Sequence, residues 1–126
     1  TLFPYTTLFR SGIYFEYDGS VSPNWYVVTA NNATRTKINT GIAVNATAFQ
    51  TLSINVYNAG TPASPNWTAQ FLVNGVAGGS INSNVPITAG TRLCGPSLHI
   101  VKSSGITART IYIDFFREWG ILTTPR

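Results

Sequence analysis

Acid–base chemistry in this sequence would have to come from four carboxylates, Glu16, Asp18, Asp114 and Glu118. Glu16 and Asp18 stand two residues apart, so on a strand both would project from one face with their backbone anchors about 7 Å apart. That spacing is near the separation of the carboxylate pairs that hydrolyse glycosidic bonds. Asp114 facing Glu16 across a sheet would be the other way to complete a pair. The competing reading for these acids is a solvated sheet face, or ion pairs with Arg35, Lys37 or Arg109. His99 is the one histidine and Cys94 the one cysteine. A Ser-His-Asp arrangement would need His99 to meet one of the few acids beside a poised serine, and no intrachain disulfide or cysteine-based metal site can be built. An ordinary strand-face His99 and a small, buried or half-buried Cys94 are the simpler readings. Calcium asks for several clustered carboxylates, and Asp18 beside a polar turn offers one. Gly75, Gly78 and Gly79 follow a hairpin instead of opening a helix, so no phosphate-cradling loop is present. No cofactor is expected.

Binding chemistry is easier to supply. Sugars are held by aromatic faces stacked on their C–H surfaces and by amides and charged groups bonded to their hydroxyls. This chain combines three Trp and six Tyr with abundant Asn. If its polar faces line one concave sheet, Tyr14, Glu16, Arg35, Lys37, Asn55, Tyr57, Gln70, His99, Tyr112 and Asp114 share it. Trp25 and Trp67 each follow a Pro-Asn pair beside a loop, where a ring either caps the core or offers an exposed platform. The candidate glycan contacts are therefore Trp25, Trp67, Tyr14, Arg35, Asn55, Tyr57 and Tyr112, with no catalytic and no metal residue assigned. Three Asn-x-Thr sequons, at Asn32, Asn45 and Asn66, are expected by chance in so Asn/Thr-rich a chain.

The elements that must position these residues follow from composition. The chain has 126 residues, enough for one domain, with 44% hydrophobic, 13% aromatic and only 10% charged residues. A helical bundle uses far more charged helix formers, whereas the wealth of Val, Thr and aromatic residues favours strands. The formal charge of +4 comes from eight basic residues scattered singly among few acids, which argues against a nucleic-acid partner. The apolar runs fall far short of the roughly 20 residues needed to cross a bilayer, and neither a membrane span nor a signal peptide is read from the sequence.

Runs of β-branched and aromatic residues alternate with Gly, Pro, Asn and Ser clusters, predicting eight strands. They are Gly12–Asp18, Trp25–Ala30, Thr34–Asn39, Phe49–Asn58, Trp67–Asn74, Val76–Ile81, Ser97–Ser103 and Ala108–Trp119. Alternation is clearest in the fourth, where Leu52, Ile54 and Val56 share one face while Ser53, Asn55 and Tyr57 share the other. Ile13, Phe15 and Tyr17, and likewise Ile111, Ile113 and Phe115, are expected core faces. Asp18-Gly19, Asn74-Gly75 and Ser104-Gly105 are hairpin signals, Asn74-Gly75 the strongest. Segments Ala59–Asn66 and Asn82–Pro96 read as loops, and no helix is convincing. Eight antiparallel strands in so short a chain bury one face each by stacking two sheets. The expectation is an all-β, two-sheet antiparallel jelly-roll sandwich.

Residues Thr1 to Ser11 read TLFPYTTLFRS. This resembles, residue for residue, the translation of a common short-read sequencing adapter joined in frame to a gene fragment of environmental origin. The expected organisation is then a non-native segment 1–11, an N-terminally truncated sandwich domain 12–122 and a tail 123–126. A sandwich lacking a strand would leave an unpaired edge that invites association between copies, hence a homo-oligomer.

The run FQTLSINV from Phe49, followed by AQFLVNG from Ala69, resembles a recurrent hairpin of concanavalin A-like and laminin-G-like domains, in which alternate residues fill the core and Asn-Gly turns the chain into the next strand. GIYFEYD, PNWYVVTANNATRTKINTG and IVKSSGITARTIYIDFF are similar to lectin-like jelly-roll domains of tailed-bacteriophage virion proteins. This resemblance implies a non-enzymatic virion structural, decoration or attachment module, partnered by glycans or other virion proteins, on a virion or an extracellular surface. A bacterial extracellular carbohydrate-binding or adhesion module of the same fold is the alternative, and a glycoside hydrolase fragment the third. The E-x-D-x-x-E signature of one hydrolase family of this fold is not completed, because Val21 occupies its last position. If Thr1–Ser11 is foreign to the domain, its deletion leaves the midpoint of thermal unfolding essentially unchanged; a large loss of stability would show that the segment has been recruited into the fold.

Overall fold

The computed structural model describes residues 11–86, 96–98, 100, 106, 108 and 110–118. It is all-β, with two antiparallel three-stranded sheets and no helix among the described residues. β1 (Gly12–Glu16), β2 (Asn24–Asn31) and β3 (Thr34–Ala43) form the first sheet in that order. β4 (Leu52–Asn58), β5 (Trp67–Val73) and β6 (Val76–Ile81) form the second. The chain thus runs as two successive meanders. All six strands belong to one compact unit, Thr1–Arg92, and Leu93–Arg126 forms another.

Alternation decides which faces meet. Val27 on β2, Ala69 and Phe71 on β5 and Ile81 on β6 are buried together, with Ile13 and Phe15 of β1 packed against them. Phe15 stands edge-on to Phe71, ring centroids 5.4 Å apart at 89°, the geometry that aligns a ring's positive edge with another's negative face. At one end the sheets are tied by polar bonds: Thr29 Oγ1 donates to the Ser83 carbonyl at 2.7 Å and Asn84 Nδ2 to Thr36 Oγ1 at 2.9 Å. The second sheet comes close to the first at Gly78. There a bulge between Phe71 and Leu72 of β5 leaves Gly78 without a partner, and a Cβ on it would lie 3.1 Å from Thr40 Cγ2.

Turn chemistry explains two hairpins. Asn74 (φ 51°) and Gly75 (φ 78°) make the two-residue turn between β5 and β6 that their sequence predicts. Asn32 (φ 50°) and Ala33 (φ 70°) do the same between β2 and β3, a turn not read from sequence because Ala rarely tolerates positive φ.

Six of the eight expected strands are present, five with shifted ends. β3 runs past Asn39 to Ala43 because the chain accommodates an irregularity there, with Gly41 at φ 72° and Thr40 Oγ1 donating to the Trp25 carbonyl. β4 begins at Leu52, not Phe49, because its partner β5 ends at Val73 opposite Leu52 and Asn74 opens the turn; Gln50 upstream has its Oε1 accepting from Trp25 Nε1 and its Nε2 donating to the Ala43 carbonyl. Asp18-Gly19 does not form a tight hairpin. Asp18 instead heads a longer turn, its carbonyl accepting from the backbone N–H groups of Val21 and Ser22.

The expected strand Ala108–Trp119 is corrected: its described residues, 108 and 110–118, carry no strand. Ile111, Ile113 and Phe115 are exposed, so they are not the expected core face. Alternation names a side-chain face, whereas a strand also needs a neighbouring backbone to complete its ladder. The described part of Ser97–Ser103, residues 97, 98 and 100, is likewise without strand. The rest of that segment, with Ser104-Gly105, lies outside the described residues.

Two substitutions test these backbone constraints by denaturant unfolding. Ala33→Gly relieves the positive φ and is expected to raise stability by about 0.5–1 kcal/mol. Gly78→Val drives side-chain atoms into β3 and is expected to lower it by about 1–3 kcal/mol.

Candidate functional site

Because Ile13 and Phe15 point into the sandwich, their neighbours Tyr14 and Glu16 lie on the outer side of the first sheet. The register places Tyr14 beside Val28 and Val28 beside Lys37, with Ala30 next to Arg35. Arg35 Nη2 and Lys37 Nζ bond to the two different oxygens of Glu16. Each cation also lies over a ring: the Arg35 guanidinium is 5.8 Å from the centroid of Tyr14 and Lys37 Nζ is 4.1 Å from that of Tyr26. Such cation–ring contacts are worth about 0.5–1 kcal/mol at exposed sites. Arg35 Nε is buried, with no hydrogen-bond partner among the described residues. Burial pushes the Tyr14 hydroxyl above its ordinary range, with Arg35 acting in the opposite sense.

The paired-carboxylate geometry does not arise on a strand, since β1 ends at Glu16 and Asp18 has entered the turn. Asp18 Oδ1 accepts from both the backbone N–H (3.0 Å) and the hydroxyl (2.6 Å) of Ser20. These two bonds hold its carboxyl below the usual carboxylate range. Glu16, Tyr17, Asp18 and Arg35 line a cleft of about 90 Å³. That is room for a few waters and well below the roughly 300 Å³ at which small-molecule pockets begin. With both Glu16 oxygens held by cations and Asp18 kept ionised, neither acid is arranged to deliver a proton to a leaving group. Among the described residues no three His, Cys, Asp or Glu side chains converge as metal ligands would.

The second sheet has a different outer side. Ala69, Phe71 and Val73 are buried on the inner side, so Thr68, Gln70 and Leu72 alternate to the outer side, where Thr68 is covered and Gln70 and Leu72 are half-buried; the register brings Asn55 beside Gln70 and Gln70 beside Ser80. Asn55 Nδ2 donates to Gln70 Oε1 at 3.5 Å. Tyr57, two residues after Asn55, is exposed.

The polar residues expected on one concave sheet therefore separate. Tyr14, Glu16, Arg35 and Lys37 are together on the first sheet, while Asn55, Tyr57 and Gln70 lie on the outer side of the second. Tyr112 and Asp114 belong to the other unit, where both residues lie outside any strand and Tyr112 is exposed. His99, Cys94 and Arg109 lie outside the described residues. Trp25 is half-buried, its ring 6.1 Å from Phe15 and 6.0 Å from Tyr17 and its Nε1 donating to Gln50 Oε1 at 3.0 Å. Trp67 is half-buried at the start of β5. Sequence reading missed Tyr26 under Lys37, which only the register reveals. It also missed Ser20, although an Asp two residues before a Ser is a known local turn signal.

No family model, curated protein or solved structure matches the chain.

Asp18 generates a pH prediction. A carboxylate whose folded-state pKa is depressed stabilises the fold above its unfolded pKa, and that contribution is lost as pH falls through the folded value. Ser20→Ala removes one bond directly, so the Asp18 titration midpoint is expected to rise toward the ordinary carboxylate value. Side-chain carboxyl chemical shifts followed against pH measure it; an unmoved midpoint would show that Ser20 is not the cause.

Proposed function

We propose that this chain is a non-enzymatic attachment or decoration module of a virion or extracellular surface, able to contact glycans. The observation that carries this reading is the state of the two acids at the first sheet. Glu16 is held by Arg35 and Lys37 and Asp18 by Ser20, an arrangement that positions side chains and supplies no free acid–base pair. The adjoining cleft is too small to enclose a sugar ring, and in this reading recognition takes place on the open sheet faces, where aromatic and amide groups stand on strands. Within this reading the sandwich is a jelly roll, as the resemblance to lectin-like virion domains implies. The virion assignment rests on that same resemblance.

The test is a binding screen of the full chain against bacterial surface polysaccharides, run beside a reducing-end assay on the same sugars. Saturable binding without release of reducing ends is expected. Turnover above the buffer rate would overturn the non-enzymatic reading.

A further inference from the structure

We infer that the outer side of the β4–β5–β6 sheet is the glycan-contact surface and that it selects uncharged sugars; this rests on the attachment reading above. The three strands contain no charged residue at all. Across their outer side runs one row of hydrogen-bonding side chains, Asn55, Gln70 and Ser80, each on a neighbouring strand at paired positions. At the ordinary strand spacing this row spans about 10 Å, and it offers both donors and acceptors, as sugar hydroxyls require. Tyr57 lies about 7 Å from Asn55 along β4, on the same side, and is 45% exposed. A sugar ring stacked on the Tyr57 phenol would bring its hydroxyls to Asn55 and Gln70.

The first sheet's outer side is the competing surface, and its chemistry differs. The Tyr14 and Tyr26 rings are already approached by Arg35 and Lys37, and a sugar stacking there would have to displace a cation held by Glu16. With two cations to one carboxylate, that side suits an anionic ligand. An uncharged face loses little on meeting an uncharged, polyhydroxylated partner, whereas an anionic sugar there would surrender hydration with no cation to receive it. The charge distribution therefore assigns neutral glycans to the second sheet.

The experiment titrates the full chain with neutral glucose, xylose and galactose hexasaccharides and, in parallel, with oligogalacturonate as the anionic probe. It follows the side-chain amide resonances of Asn55 and Gln70, which report contact in the unmutated protein even if a variant fails to fold. A neutral hexasaccharide is expected to shift both amides, with affinity about tenfold weaker in Tyr57→Ala. Oligogalacturonate binding that is lost in Arg35→Gln, with no neutral sugar bound, would move the site to the first sheet and overturn the assignment. So would neutral binding that leaves the two amides unmoved, or no binding by any probe, which would leave a decoration role standing. Cleavage of a hexasaccharide would instead sink the non-enzymatic reading itself.

Discussion

The contact between Phe15 and Phe71 is the interaction on which the two-sheet arrangement depends. These rings come from different sheets and meet beside Val27, Ala69 and Ile81, and few other apolar groups join the sheets. Fully burying an aromatic side chain of this kind contributes about 1.5–3 kcal/mol. Each polar tie at the end of the sandwich, such as Thr29 to Ser83, contributes a net 0.5–1.5 kcal/mol or so. The rings therefore set the stacking and the polar ties set its register. Gly78 belongs to the same constraint, because a Cβ there would sit 3.1 Å from Thr40 Cγ2, closer than side-chain carbons ordinarily approach.

The small core has a cost at the β4 edge. Leu52, Ile54 and Val56 point to the inner side of their sheet, opposite Val73, Phe71 and Ala69 on β5, yet they remain 37%, 38% and 46% exposed. Their β5 partners are essentially buried. The difference is one of position: β5 is central and β4 is an edge strand. Natural edges are blunted by Lys, Pro or inward charges, and β4 has none of these. Its row of apolar side chains is thus only partly covered by the core.

Much of this was legible in the sequence, for reasons that particular residues make plain. The six strands were readable because alternation is enforced wherever one face is buried, and Asn74-Gly75 announced its turn because its backbone conformation demands those residue types. Ala33 hid a turn of the same kind, since nothing in its chemistry marks positive φ. Ala108–Trp119 misled because its alternation is as good as that of β4, while pairing depends on a distant neighbour that periodicity cannot name. The candidate site was legible residue by residue and illegible as a surface. Tyr14, Arg35, Asn55 and Tyr57 are all solvent-side positions, but which outer side each occupies follows from strand order, and the order placed them on opposite sides of the sandwich.

That separation carries the functional argument further than any single residue does. With only four acids in the chain, Glu16 is the one carboxylate on the six strands, and two cations gather on it. The charges of the strands thereby collect on the first sheet, and the second is left wholly neutral. Scarcity of charge, which at the level of composition says only that the chain is not helical, becomes in three dimensions a division of labour between faces. One side is internally paired and rigid, and the other keeps amides, hydroxyls and a phenol open to solvent. An uncharged surface of that kind gains little from long-range steering, so its selectivity would rest on matching hydroxyl geometry at short range. A row of amides fixed by strand register can provide that match.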